Sequence, residues 1–134
     1  MNREIRIIIA GGRDFNRYDM LCKSVADTIV EMVYERKITP ETDIKIISGR
    51  ARGADQHGER FAEENGYECV KFPAKWDELG KRAGYVRNME MAKYAKSDDA
   101  YGVLIAFWDR KSKGTEHMID IAKKYGLETH IFTY

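Results

Sequence analysis

The amino-acid sequence predicts an α/β fold, in which five strands alternate with four helices in a mostly parallel sheet with helices on both faces. Three observations predict it. Short apolar runs rich in β-branched residues alternate with segments in which apolar residues recur at helical spacing. Most of these runs end at glycine or proline, which terminate regular elements. The length of 134 residues suits one compact domain, so we expect a single domain over residues 1–134.

The first half of the chain supplies three strands and two helices. Ile5 to Ala10 is a run rich in β-branched residues that stops at Gly11-Gly12, as expected of a strand buried on both faces. The next segment repeats apolar residues at helical spacing, which predicts an amphipathic helix over about 17–37. A strand, a helix that ends at an Asn-Gly pair and a third strand follow over 44–47, 54–64 and 67–72.

The second half begins with a loop over 73–82. This loop is long for an α/β connection, which usually has ~2–6 residues, and long loops are more often functional. A helix, a strand, a last helix and a short strand follow over 84–95, 101–107, 118–125 and 128–134. Because parallel sheets bind ligands outside the carboxyl ends of their strands, we expect the function in the segments 10–16, 48–55, 72–87 and 107–116.

Composition narrows the classes of function. The chain has 23 Lys and Arg and 22 Asp and Glu. The resulting formal net charge of +1 argues against a purely electrostatic nucleic-acid binder. Cys22 and Cys69 form no CxxC pair and the three histidines have no ligand spacing, so we expect reduced thiols and no metal site. No apolar run approaches the ~20 residues of a bilayer span. With no signal-peptide pattern either, we expect a cytoplasmic protein without membrane contact.

Two glycine-rich segments follow the first two strands. Gly11, Gly12 and Arg13 either let a ligand approach the backbone amides or form a tight strand-to-helix turn. The segment 48–55 runs from a strand into a helix, where amides attract anions and arginines bind phosphate. It lacks the GK[ST] of a Walker A loop, and Asp55 has a helix cap as its alternative role. Its candidate ligand-binding residues are Ser48, Gly49, Arg50, Arg52, Gly53 and Asp55.

The long loop and the helix after it offer an aromatic ring and a cation. Trp76 stands in a polar loop, where it either covers the core or forms a platform for a planar ligand. Residues 71–96 hold seven Lys and Arg against three Asp and Glu. Arg87 and Asn88 lie in the first turns of the third helix, close to the edge where the strands end. We therefore predict that Arg87 reaches a ligand.

The segment after the fourth strand has a similar character. Ser112, Lys113, Gly114 and Thr115 combine hydroxyls and a cation with the free amides of a helix start, a combination that suits phosphate. The alternative is an N-cap by Ser112 or Thr115, with Glu116 favourable in the first turn. Ligand contact is favoured because three such loops converge on one edge of the sheet.

Together these motifs resemble the YspA-type, YpsA-related branch of the SLOG superfamily. They occur in the right order over nearly the whole chain, and the most specific string is PAxWD…G…AG…RN, from Pro73 to Asn88. The resemblance implies a Rossmann-like sheet in the order 3-2-1-4-5 and a nucleotide or nucleotide-derived ligand, and related enzymes suggest a homodimer. We expect no required cofactor. The pocket residues that it implies are Gly11, Gly12, Ser48, Gly49, Arg50, Gly53, Asp55, Trp76, Arg87, Asn88, Gly114 and Thr115.

One departure from the superfamily concerns catalysis. The phosphoribohydrolase branch carries a motif similar to PGGxGTxxE, and its final Glu acts together with an Arg. In this chain Met118 occupies the Glu position, and a Lys-Ser-Lys sequence precedes Gly114. Glu116 comes two residues early, which turns it by ~200° on a helix. The resemblance therefore does not extend to the catalytic carboxylate.

Three functions follow in order of preference. The first is the sensing or sequestration of a small phosphorylated, nucleotide-like ligand at the carboxyl edge of the sheet. The second is a nucleotide phosphoribohydrolase or N-glycosidase, with Arg87, Asp55 and Glu116 as candidate catalytic residues. The third is single-stranded DNA binding like that of the DprA-like proteins, which needs a basic groove and stacking aromatics.

Overall fold

The computed structural model describes residues 4–134, which form five strands and five helices. The bounds of these elements are β1 Ile5–Gly11, α1 Tyr18–Tyr34, β2 Ile44–Ser48, α2 Ala54–Asn65, β3 Glu68–Lys71, α3 Trp76–Leu79, α4 Ala83–Lys96, β4 Tyr101–Trp108, α5 Lys113–Lys124 and β5 Glu128–Thr133. A turn of 3₁₀ helix, Gly80–Arg82, joins α3 to α4. No helix within residues 4–134 has the length and apolar character needed to cross a membrane.

The five strands form one parallel sheet in the order β3-β2-β1-β4-β5. The predicted α/β class and strand order are confirmed, and the sheet is wholly rather than mostly parallel. β1 is the central strand, because Ile5 pairs with Ile44 of β2 on one side and with Tyr101 of β4 on the other. After β3 the chain returns past β1 to begin β4. This reversal leaves a crevice beyond the ends of β1 and β4, where open parallel sheets bind ligands.

Strand β1 separates two apolar layers. Ile5, Ile7 and Ile9 belong to a core cluster with α1 and α2, whereas Ile8 and Ala10 belong to a cluster with α4 and α5. Successive side chains of a strand point to opposite faces of the sheet. A central strand covered on both faces needs apolar residues on both, which β1 provides from Ile7 to Ala10, with the buried Arg6 as the exception near its start.

The segment 73–82 differs from its prediction as a loop. It contains the one-turn helix α3, in which the backbone amides of Glu78 and Leu79 donate to the Lys75 carbonyl at 3.1 and 2.9 Å. A single turn is too short to show helical periodicity in the sequence, so the pattern did not indicate it. Trp76 therefore begins a hydrogen-bonded turn instead of lying in irregular chain.

Two helix ends also differ from the sequence pattern. The last helix, marked by apolar residues over 118–125, begins already at Lys113, because Ser112 accepts a hydrogen bond from the Thr115 amide at 3.4 Å and caps it. Helix α1 ends at Tyr34 rather than near residue 37. The chain turns there through Arg36, whose φ is +59° and is incompatible with a continuing helix.

Candidate functional site

Two adjoining cavities lie at the edge where β1, β2 and β4 end. The smaller cavity, of about 90 Å³, lies between the end of β1, α2, α4 and the start of α5. The larger cavity, of about 240 Å³, extends toward the chain between β3 and α3. Arg13, Ala51 and Arg87 line both cavities, so we treat them as the two parts of one site.

Most of the predicted ligand-binding residues line these cavities. Arg13 and Arg87 lie at the junction of the two. The small cavity is also lined by Gly11, Asp55, Asn88, Ser112, Gly114 and Thr115. The large cavity is also lined by Gly49, Arg50 and Trp76. Sequence reasoning missed the small and apolar wall residues, which carry no reactive group to mark them: Ala10, Ala51, Pro73, Ala74 and Met91.

Three charged candidates lie away from both cavities among the described residues. Arg52, Lys113 and Glu116 are exposed to solvent and belong to neither lining. Glu116 lies on the outer surface of α5, whereas Met118 is buried and lines the small cavity. The position that would hold a catalytic carboxylate in the phosphoribohydrolase motif thus presents a thioether.

Two of the predicted glycines hold the site together without lining it. Gly53 has a φ of +76°, and a Cβ there would lie only 2.2 Å from the Gly12 carbonyl oxygen. The same carbonyl accepts the first amide of α2, from Ala54, at 3.2 Å. Only glycine fits this approach. Gly12 and Gly53 therefore fix the start of α2 against the end of β1.

Arg87 of α4 is the central cation of the site. Its Nη1 donates to the Gly49 carbonyl at 2.6 Å and its Nε donates to Asn88 Oδ1 at 3.2 Å. These two bonds orient the guanidinium, which is half-buried, toward the junction of the cavities. Burial lowers the pKa of Arg87, an effect that Asp55 opposes and that the like charge of Arg13 reinforces.

Asp55 is the buried carboxylate of the small cavity. It is 5% exposed, and its Oδ2 accepts a hydrogen bond from the Ala51 amide at 3.3 Å. Burial raises the pKa of Asp55 to about 6, against the opposing attraction of Arg87. Gly49 separates the two charges, since a Cβ there would lie 2.8 Å from Asp55 Oδ2 and 2.9 Å from Arg87 Cδ. The alternative role of Asp55 as a helix cap is wrong, because Gly53 occupies the N-cap position of α2.

Asn88 connects α4 to the start of α5. Its Nδ2 lies 3.3 Å from the Gly114 carbonyl, to which it donates, and 3.1 Å from His117 Nδ1. The His117 ring meets the Tyr85 ring edge-on at 4.4 Å, and burial lowers the pKa of His117. A neutral imidazole accepts the Asn88 amide through Nδ1. The partners of His117 come from another helix, so the spacing of residues along the sequence does not reveal them.

The start of α5 is held in place by three short contacts. Asp109 Oδ1 accepts the Lys111 and Ser112 amides, both at 2.8 Å, and Trp108 Nε1 donates to the Ser112 carbonyl at 3.1 Å. The Ser112 hydroxyl lies 3.0 Å from Thr115 Oγ1. Ser112 is thus the N-cap that the alternative interpretation predicted, and it also lines the small cavity. Capping and ligand contact are compatible at this position.

Glu59 of α2 organises the segment after β2, although no sequence pattern marks this residue. One carboxylate oxygen accepts the Ser48 hydroxyl at 2.6 Å and the other accepts Arg50 Nη1 at 2.7 Å. Ser48 is 1% exposed and also accepts the Arg50 amide at 3.1 Å. Ser48 is therefore a structural hydroxyl beneath the site. Arg50, at a φ of +67°, is held against α2 at the rim of the large cavity.

The comparisons with known proteins concern the family. The model of the YAcAr family, described as the YspA, cpYpsA-related SLOG family, matches residues 5–78, which run from β1 into α3. Gene 61 protein of Mycobacterium phage D29 is 30% identical over 127 residues, which cover 91% of each chain. No solved structure matches the chain. The resemblance predicted from the motifs is confirmed, and the chain belongs to the YspA, cpYpsA-related SLOG family.

Proposed function

We propose that this protein binds a nucleotide or a nucleotide-derived small ligand in the two adjoining cavities, as a sensing or sequestering module. The observation that carries the proposal is the position of Arg87. Its half-buried guanidinium lines both cavities and is oriented by Gly49 and Asn88. A fixed cation at such a junction is suited to an anionic group of a ligand that extends into both cavities.

The charges around Arg87 support a phosphate-bearing ligand. Among the described residues, the large cavity is lined by three arginines and no carboxylate. The small cavity is bounded by Ser112, Gly114 and Thr115, which start the 12-residue helix α5. The free amides and the dipole of a helix N-terminus favour an anion. Membership of a SLOG family supports a nucleotide-related role.

The dimensions of the site favour a small ligand over a polymer. The two volumes, about 90 and 240 Å³, together reach the lower end of the ~300–1,000 Å³ range of small-molecule sites. The formal net charge of +1 gives the chain no general attraction for a long polyanion. A few clustered arginines in a chain of nearly balanced charge are consistent with the binding of one small phosphorylated molecule.

A thermal-shift screen followed by calorimetry tests this proposal. The panel contains nucleoside mono- and diphosphates, cyclic nucleotides and inorganic phosphate. We expect at least one nucleotide to raise the melting temperature by several degrees at a concentration ~100-fold above its Kd, where linkage supplies about 2.7 kcal/mol. The Arg87→Ala variant should lose that shift. If no phosphate-bearing compound shifts the wild type, the proposal is wrong.

A second candidate function is N-glycosidic hydrolysis of a nucleotide, and Asp55 is the observation that favours it. It is a carboxyl group in the cavity lining with a pKa raised to about 6 by burial, which suits an acid–base group near neutral pH. Chromatography of nucleoside monophosphates after incubation tests this candidate. Release of free base that stops in Asp55→Asn supports it, and the absence of any release from the wild type excludes it.

A further inference from the structure

We infer that Trp76 is the platform on which the planar base of the ligand stacks, in the large cavity, with the phosphate-bearing end held by Arg87 at the junction with the small one. The inference rests on the proposed function and deepens it. It requires a ligand that carries an aromatic base, whereas the cations alone would also accept a phosphorylated sugar. It also gives the ligand one orientation across the site.

The exposure of Trp76 is the first observation. The side chain is 49% exposed, although a tryptophan ring is mostly buried in a typical domain. It begins α3, whose turn is closed by the Leu79 amide donating to the Lys75 carbonyl at 2.9 Å. A ring on a short hydrogen-bonded turn is held in place without being covered. Trp76 therefore does not serve as a cover of the core.

The closeness of Trp76 to the central cation is the second observation. A Cβ added at Gly84, in the first turn of α4, would lie 3.4 Å from Trp76 Cη2 and 3.6 Å from Arg87 Nη2. The indole edge and the guanidinium thus flank the same point of the backbone. A ring stacked on the indole would lie beside Arg87, and the next groups of the ligand would reach Arg87 at the junction of the two cavities.

The lining of the large cavity is the third observation. Pro73 and Ala74 add apolar surface next to the indole, and the remaining charged lining residues are Arg13, Arg50 and Arg87. A nucleobase presents a π face for stacking and ring acceptors for arginine N–H groups. A phosphorylated sugar presents no aromatic face and no ring nitrogen acceptors. The combination of indole, apolar wall and arginine donors therefore fits a base.

Calorimetry with matched ligands separates the base from the phosphosugar. The probes are the four common nucleoside 5′-monophosphates and ribose 5-phosphate, which lacks only the base. We expect the wild type to bind its preferred nucleotide at least tenfold more tightly than ribose 5-phosphate. Trp76→Ala should weaken the nucleotide at least fivefold and leave ribose 5-phosphate within twofold, because stacking alone is lost. Trp76→Phe should restore most of the affinity.

Controls keep the test interpretable. Tyr34 is 85% exposed and lines neither cavity, so Tyr34→Ala should bind every probe as the wild type does. The chain has two tryptophans, so the emission that Trp76→Phe loses, excited where tyrosine does not absorb, belongs to Trp76. Saturation with the nucleotide should quench that emission, and ribose 5-phosphate should not.

The outcomes that overturn the inference differ from those that overturn the proposed function. Equal affinity of the wild type for nucleotides and ribose 5-phosphate would show that no base is recognised, while the anion site stands. Equal weakening of both ligands by Trp76→Ala would assign Trp76 a structural role and reject the platform. Failure of these probes and of every compound in the thermal-shift panel to bind the wild type would reject the proposed function, and the platform with it.

Discussion

The two edges of the sheet differ in how many partners their buried charged side chains have. At the edge where the strands begin, the buried charge has several hydrogen-bond partners, and at the edge where they end it has fewer. Arg6 of β1 is 5% exposed, and its Nε donates to Glu4 at 2.5 Å. Its terminal nitrogens donate to the Tyr94 carbonyl at 2.6 Å and to Asp98 at 3.1 Å. Asp55, equally buried at the opposite edge, has the Ala51 amide at 3.3 Å and faces Arg87 across Gly49.

Two carboxylates show the same contrast in their proton affinity. Burial acts to raise the pKa of Glu128 at the start of β5. Hydrogen bonds from His130, Lys37 and Tyr101 outweigh burial and hold that pKa near 2. Burial is the dominant influence on Asp55 and raises its pKa to about 6. At the beginning edge the partners of Glu128 outweigh its burial, whereas at the ending edge the attraction of Arg87 offsets the burial of Asp55 only in part.

The largest expected effect comes from the well-paired edge. Arg6→Ala removes the cation that Glu4 and Asp98 contact and leaves the Tyr94 carbonyl without this donor. We expect a loss of about 3–5 kcal/mol in the free energy of unfolding, measured by urea denaturation, because breaking a buried charge network leaves polar groups unpaired. Arg17, 60% exposed beside Asp19, provides the matched control. A loss below about 1 kcal/mol on Arg6→Ala would contradict the contrast between the edges.

The second effect concerns binding at the ending edge. Arg87→Ala should lower the affinity for the preferred nucleotide by about 30- to 100-fold, the equivalent of about 2–3 kcal/mol for a charge-assisted contact. Arg82 is exposed, lies five positions earlier in the chain and lines neither cavity. Arg82→Ala should stay within twofold by calorimetry. Equal losses in the two variants would mean that general positive charge, and not Arg87, attracts the ligand.

The third effect is a dependence of stability on pH. The folded-state pKa of Asp55, about 6, lies above its ordinary value of 3.8, so its contribution to stability is complete below about pH 4. That contribution is lost as the pH rises from about 4 to 6. Asp55→Asn should therefore be more stable than the wild type by about 1–3 kcal/mol at pH 7.5, with the difference shrinking toward pH 4. Urea denaturation at both pH values measures this.

Two outcomes of that experiment are informative. Asp77, which is exposed on α3, supplies the control, and Asp77→Asn should change stability little at either pH. If Asp55→Asn destabilises the protein at pH 7.5, then the Asp55 carboxylate is stabilised by Arg87 despite its burial. The two edges would in that case be alike, and the contrast between them would fail.

The smallest expected effect on nucleotide affinity concerns two candidate residues that lie outside the site. Arg52 and Lys113 are ligand candidates by sequence, yet both are exposed and outside the two linings. We expect Arg52→Ala and Lys113→Ala each to change nucleotide affinity less than twofold in calorimetry. A tenfold loss in either variant would show that its loop closes over the bound ligand.

The fold was largely predictable from the sequence because its signals are local and repeated. The apolar run of β1 and the alternation of strands with helices determine the class of the sheet. The strand order came from the resemblance of motifs. Helix α3 was missed, since one turn has no period to detect. Elements long enough to show a periodic pattern can be recognised from the sequence, whereas very short elements depend on tertiary contacts.

The candidate site was predictable only to the level of its loops. Arg50 and Arg52 are two residues apart and chemically identical, yet Arg50 lines the large cavity and Arg52 does not. Their directions depend on the positive φ of Arg50 and on its ion pair with Glu59, at 2.7 Å, which sequence spacing does not reveal. Ala51 lines both cavities without any reactive group to mark it. Side-chain direction in a turn is a property of the folded chain.

A crystal structure of the protein with its tightest-binding nucleotide tests the central claim most directly. We expect the ligand to occupy the two adjoining cavities, with a phosphate oxygen within hydrogen-bond distance of Arg87 or of the amides that start α5. A nucleotide bound at the opposite edge near Arg6, or on another surface with both cavities empty, would contradict the assignment of this edge as the functional one.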